Sequence, residues 1–188
     1  MMSNLANVGR LVMAFILCGC ATMSGKTPQE KRKTILSMRN EVLADLYKVR
    51  PEAKARIAAA PGYAVFSNAS VNIIFASFGG GYGVATDNKT NKPIFMKMAE
   101  IGIGLGVGAK DFRAIFIFNT PAALERFVDY GWEAGGHANA AAKAGDKGAS
   151  AGGEVLIEDM TVYQLTKTGL ALEITVKGNK YWKDVNLN

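Results

Sequence analysis

Three kinds of residue in this chain of 188 could carry chemistry: glycines at nucleotide-loop spacing, a single histidine, and scattered carboxylates. Gly104, Gly106 and Ala109 match G-x-G-x-x-A, the spacing of a dinucleotide-binding turn. That chemistry requires a strand, a turn at the glycines, and then a helix whose N-terminus meets the pyrophosphate. Here Gly102, Gly104, Gly106 and Gly108 alternate with Ile101, Ile103, Leu105 and Val107, which is the period of a strand. A polar Lys110-Asp111 turn and an apolar strand from Phe112 to Phe118 follow, so the helix is missing and the nucleotide reading falls. Gly108-Ala109-Lys110-Asp111 also lacks the hydroxyl that a phosphate loop uses to hold magnesium. His137 has no Cys, Asp or Glu at metal-ligand spacing, and one imidazole does not make a zinc site, so it reads as a surface residue. Glu100, Glu154, Glu158, Asp159 and Glu173 are available for acid–base work, yet charges on sheet faces or edges explain them more simply. The expectation is a protein without catalytic residues, metal or cofactor.

The glycines have another use. Gly79, Gly81 and Gly83 form a second, shorter stripe, and a strand bare on one face admits a backbone, a bulky side chain or a ligand, or lets its sheet curl tightly. Packing and curvature is the reading favoured here.

At the N-terminus, Arg10 and the apolar run Leu11 to Leu17 precede Leu17-Cys18-Gly19-Cys20, which resembles a bacterial lipobox. Residues 1–19 are then a signal peptide, Cys20 is the lipid attachment site, 20–27 form an acylated tether, and 28–188 form a single domain. An ordinary secretory signal or an uncleaved anchor is the competing reading. Each buried CH₂ of an acyl chain contributes about 0.8 kcal/mol, so two or more chains anchor stably. Ala21, by resemblance to lipoproteins of two-membrane bacteria, implies an outer-membrane location facing the periplasm. Cys18 leaves with the signal, and no disulfide remains. Removing residues 1–19 takes away one charge, Arg10, and lowers the formal net charge from +6 to +5. A basic domain beside anionic headgroups is attracted to them. Nucleic acid is not the expected partner of an exported chain.

Several elements must position these groups. Thr27, Pro28 and Glu30 form a capping box with a first-turn proline, opening a helix to Arg50. Ile35, Met38, Val42, Leu46 and Val49, widened by Leu36, Leu43 and Tyr47, give it one apolar face. A short helix, Pro51 to Ala60, should turn Ala53, Ile57 and Ala60 inward. Strands are expected at Tyr63–Phe66, Val71–Phe75 and Pro93–Met98, with a polar turn at Asp87–Asn91, in a hairpin-like order that suggests antiparallel neighbours. Thr120 and Pro121 open a helix to Ala134 that carries Leu124, Phe127, Val128 and Trp132 on one side. From Ala134 to Gly153 fourteen of twenty residues are Ala or Gly, room for a small helix at Ala138–Ala144 in a loose loop. Strands at Val155–Leu165, Leu170–Val176 and Tyr181–Val185 close the chain.

Ala59 to Phe66, Gly79 to Val84, Gly102 to Gly108, the helix with Ala123, Leu124 and Phe127, the Ala/Gly segment and Val162 to Gly178 together resemble the SYLF domain, also called the Ysc84 actin-binding domain, over about the last 130 residues. The resemblance implies an α+β fold, with a curved, glycine-rich, barrel-like antiparallel sheet and flanking helices. It also implies binding: eukaryotic members are described as binding phosphoinositides through a basic amphipathic helix at the domain's start, and some bind actin. This chain departs from them in the Y-S-x-S-K-G-L-F segment. Tyr163 to Ala171 lack its serines and final aromatic, and Lys167 is shifted by Thr168. Only a capacity for anionic phospholipid is carried over, with Lys31, Arg32, Lys33, Arg39, Lys54 and Arg56 as the candidate lipid-binding residues. The alternative is a non-enzymatic scaffolding lipoprotein with an unknown protein partner.

Overall fold

Thr27 begins the first helix as expected. Its hydroxyl accepts from Glu30 N at 3.2 Å while the Glu30 carboxylate accepts from Thr27 N at 3.0 Å, a reciprocal cap of a kind that contributes about 1 kcal/mol. The computed structural model describes residues 27–73, 76–102, 108–133, 154–166, 169–170 and 178–188. The signal segment with Cys20, the middle of the second glycine stripe, the Ala/Gly segment with His137, and residues 171–177 with Glu173 lie outside the described residues. Helix α1 (Pro28–Val49) buries Ile35, Met38, Val42, Leu43 and Leu46. Val49, expected inward, is 45% exposed, because the helix stops there ahead of Arg50-Pro51. Helix α2 (Glu52–Ala59) buries Ala53 and Ile57.

Strand β1 (Gly62–Ile73) is continuous where the sequence suggests two separate runs. Its polar middle, Ser67 to Ser70, stays extended because β2 (Ala76–Asp87) and β4 (Gly108–Phe118) pair with it on both sides. Lys110 and Asp111 form no turn: they are paired with Ser70 and Ala69 inside β4. Gly108 therefore opens a strand, which removes the helix that a dinucleotide site needs. Strand β3 (Pro93–Gly102) precedes β4. Helix α3 (Pro121–Asp129), capped by Thr120, ends short of the expected Ala134, because Gly131 at φ +76° turns the chain into β5 (Trp132–Glu133). Val155–Leu165 is likewise two strands, β6 (Glu154–Ile157) and β7 (Met160–Thr166), folded back at Glu158-Asp159 where Glu158 has φ +51°. The short β8 (Gly169–Leu170) pairs with β7, and β9 (Asn179–Lys183) pairs with β3 and β5.

Every pairing is antiparallel, in the order β5-β9-β3-β2-β1-β4-β7-β6. Phe116 on β4 and Tyr181 on β9 lie four strand steps apart, roughly 19 Å in a flat sheet. Their ring centroids are 5.1 Å apart. The sheet is thus curled into a half-barrel rather than closed into a barrel, and α3 packs on its inner face. The inside holds Phe66, Phe116, Phe118, Phe127, Trp132 and Tyr181 with Met96, Met98 and Met160. The outside is covered by α1 and α2 against Val65, Val84, Phe95, Ile115, Ile117, Tyr163 and Leu165.

Candidate functional site

Side chains two apart on a helix point nearly opposite ways, and this alone divides the basic residues of α1. Ile35, Met38, Val42 and Leu46 define its buried side. Lys31, Arg32 and Arg39 flank that side and are half-buried, while Lys33 faces solvent with Glu30, Glu41, Asp45 and Lys48. The outer face of α1 is therefore mixed in sign, not a basic stripe.

Two candidates are occupied within the fold. Arg32 Nε donates to Leu187 O at 2.7 Å, with its guanidinium 5.9 Å from the Phe95 ring centroid, which ties α1 to the C-terminal segment. Arg56 donates to the Tyr163 hydroxyl at 2.7 Å and to Thr161 Oγ1 at 3.2 Å, which ties α2 to β7. Arg39 donates to its helix neighbour Asn40. Lys31, Lys33 and Lys54 form no hydrogen bond or ion pair among the described residues.

Lys33 has a companion that the sequence reading missed. Period-two alternation through Ile115 and Ile117 puts Arg113 on the outer face of β4, and there it shares a cleft with Lys33, Thr34, Ser37, Ser67 and Tyr82. Arg113 makes no hydrogen bond or ion pair among the described residues. The one acid in the cleft, Glu41, accepts from the Ser37 hydroxyl at 3.1 Å. Two cations among hydroxyls form an arrangement suited to an anionic oxygen.

A second cleft, of about 590 Å³, lies at the seam of the half-barrel beside α3, lined by Arg126, Phe127, Tyr130, Trp132, Glu158 and Met160. Tyr130 at its rim is 89% exposed. The charges around it are largely spent on each other, Arg126 on Asp159, Lys183 on Asp129 and Lys180 on Glu133. Of the candidate carboxylates, Asp159 is thus in an ion pair and Glu158 forms the turn. The side chains of Glu154 and Glu173 lie outside the described residues.

Glu100 is the exception among the acids. It faces the inner side of β3 and accepts from Asn68 Nδ2 on β1 at 2.6 Å, reaching across β2 where Gly79 and Gly81 present no side chain. Asn179, opposite Glu100 on β9, and Tyr181 complete a buried polar cluster. Burial pushes the Tyr181 hydroxyl far above the usual phenol range; Asn179 opposes the rise and the Glu100 charge adds to it. A folded-state pKa raised above the unfolded value of about 10 gives stability that is complete below that pH and is lost as pH climbs through the raised value. Thermal unfolding followed from pH 8 to 11.5 should therefore show Tm falling above pH about 10, and Tyr181→Phe should flatten the fall. An equal fall in both proteins would refute the assignment. Among the described residues no group of three or more His, Cys, Asp or Glu side chains could hold a metal, and no helix is long and apolar enough to cross a membrane.

Residues 99–188 match the family model for Ysc84, described as Las17-binding protein actin regulator. Beta cell expansion factor A of Aeromonas veronii is 32% identical over 167 residues, an alignment covering 88% of this chain and 62% of that protein. The chain thus spans less than two thirds of that relative's length.

Proposed function

Because this chain belongs to the Ysc84, or SYLF-domain, family through its C-terminal half, we propose that it is a non-enzymatic binding protein of a membrane surface that engages the headgroups of anionic phospholipids. The observation that carries the reading is the cleft in which Lys33 and Arg113, neither engaged among the described residues, stand beside the hydroxyl-bearing Thr34, Ser37, Ser67 and Tyr82. The formal net charge, +5 once residues 1–19 are removed, favours the same surface. Lys31, Arg39 and Lys54 add to the positive charge of the domain, while Arg32 and Arg56 serve mainly to hold the two helices on the sheet. In this reading Cys20 carries the acyl anchor and places the domain on the periplasmic side of an outer membrane.

Co-sedimentation of protein begun after Cys20 with neutral and anionic vesicles, over a salt series, tests it. Binding should need anionic lipid and weaken with salt. Each well-placed cation near an anionic surface contributes about 1 kcal/mol, so Lys33→Glu or Arg113→Glu should weaken binding by roughly fivefold and the pair by roughly thirtyfold or more. Charge reversals that left binding unchanged would remove the cleft from the proposal. No binding even at low salt would shift attention to a scaffolding role, for which the exposed Tyr130 at the seam cleft is the feature to mutate first.

A further inference from the structure

The cleft between α1 and the sheet is not evenly cationic, and its asymmetry narrows the ligand. Its helix wall is set by spacing. Lys33, Ser37 and Glu41 stand four residues apart on α1 and share one line, with Lys33 and Glu41 about 12 Å apart along the axis. Its floor is set by register. Arg113 of β4 is paired with Ser67 of β1, and Ser67 with Tyr82 of β2, all on the outer face.

Of the four hydroxyls in the cleft, two have already given their protons away. The Glu30 carbonyl can only accept, so the Thr34 hydroxyl, 3.0 Å from it, donates back into the helix. The Glu41 carboxylate likewise can only accept, so the Ser37 hydroxyl donates to it. Ser67 and Tyr82 make no hydrogen bond among the described residues, and their protons face no competitor. The floor and Lys33 therefore donate, while the Glu41 end of the wall accepts. A bare phosphate satisfies only the donors, and it sets its charge near a carboxylate that has no ion pair among the described residues.

We infer that the cleft, about 440 Å³ and so within the range of small-molecule sites, selects a phosphodiester headgroup whose substituent carries hydroxyl donors, of the glycerol class. The phosphoryl oxygens take Arg113, Lys33, Ser67 and Tyr82, and the glycerol hydroxyls donate to Glu41. This rests on the headgroup reading above and adds the chemistry of the headgroup. Glu41 is then a specificity residue. It weakens every anion through like charge, and offsets that loss only for a ligand that donates to it.

The test is a nuclear magnetic resonance titration of the full chain, held in a nonionic detergent, with two soluble phosphodiesters of equal charge. Glycerophosphoglycerol carries hydroxyls and dimethyl phosphate carries none. The first should bind about fivefold or more tighter, the gain from a hydrogen bond to a charged group in an open cleft. Glu41→Ala, at an exposed helix position that suits alanine, should bring the two within about twofold and tighten dimethyl phosphate. Arg113→Gln should weaken both by a similar factor, since it removes a phosphate contact and leaves the acceptor in place. Phosphatidylglycerol added to the micelles should displace bound glycerophosphoglycerol; failure to displace it overturns the assignment to a lipid. Equal binding of the two diesters by the unaltered chain, or a preference that survives Glu41→Ala, overturns the inference and leaves the headgroup reading standing. No binding of either removes the cleft from both.

Discussion

Alanine at Gly83 is expected to destabilise the protein by about 3 kcal/mol or more, whereas alanine at Gly80 should change stability by less than about 0.5 kcal/mol. A Cβ on Gly83 would lie 2.3 Å from Phe66 Cδ1 and 2.4 Å from the Val65 carbonyl oxygen. At Gly81 it would lie 2.2 Å from the Ser67 carbonyl oxygen and 2.9 Å from Met98 Cγ. Real Cβ atoms do not approach so closely, and the obstacles are partly backbone atoms of β1, which cannot move without breaking a strand that is paired on both sides. Relief would require the sheet to uncurl. Uncurling would part Phe116 from Tyr181, which meet only because the sheet bends over these glycines. Gly80, one residue away on the opposite face, has its nearest neighbour for a Cβ, Met98 O, at 3.9 Å, an ordinary contact. Urea midpoints for Gly80→Ala, Gly81→Ala and Gly83→Ala measure the difference directly. Similar midpoints for all three would show that the stripe does not set the curvature.

Phe127→Ala should cost about 4 kcal/mol, the upper part of the range for an aromatic removed from a core. Phe127 is 1% exposed, and its ring centroid lies 5.2 Å from Phe116, 5.1 Å from Phe118, 5.7 Å from Tyr181 and 6.1 Å from Phe66. It is the residue through which α3 joins strands from across the half-barrel, so its loss leaves a cavity and also frees the helix that occupies the curl. Close aromatic pairs add about 0.5–1.5 kcal/mol each beyond buried area, although terms within one cluster do not sum independently. Phe127→Leu restores most of the volume without the ring geometry and should cost roughly half as much. Denaturant unfolding measures both, and near-ultraviolet circular dichroism should lose aromatic signal in each. A cost below about 1 kcal/mol for the alanine variant would mean that α3 is not held through this ring.

Elements governed by short-range rules could be read from the chain directly. The reciprocal cap of Thr27 and Glu30, the buried stripe from Ile35 to Leu46, the proline-led start of α3 and the turn after Asp87 all depend on residues within a few positions of each other. The period-two glycines of 79–83 announced a strand bare on one face, and they lie on β2 in the middle of a curled sheet, where a Cβ at Gly81 or Gly83 would run into β1. Boundaries were less legible. Gly131 stops α3 and Glu158 splits the closing strand through backbone conformations that propensity does not foresee, and the polar middle of β1 is extended only because both flanks are paired.

The binding residues divide in the same way. Composition alone establishes a basic chain, and the cysteine spacing alone suggests an anchor. What each cation does depends on what lies across from it: Arg56 meets Tyr163, a residue 107 positions away, and becomes a strut, while Lys33 meets Arg113 across the α1–sheet cleft. Glu100 reads as a sheet-face or edge charge, and only the order of the strands brings Asn68 of β1 within hydrogen-bonding reach of it across β2. Periodicity says which face a side chain takes, because backbone geometry repeats locally. Only the order and curvature of the strands decide which faces meet, because those are set by the packing of the whole sheet.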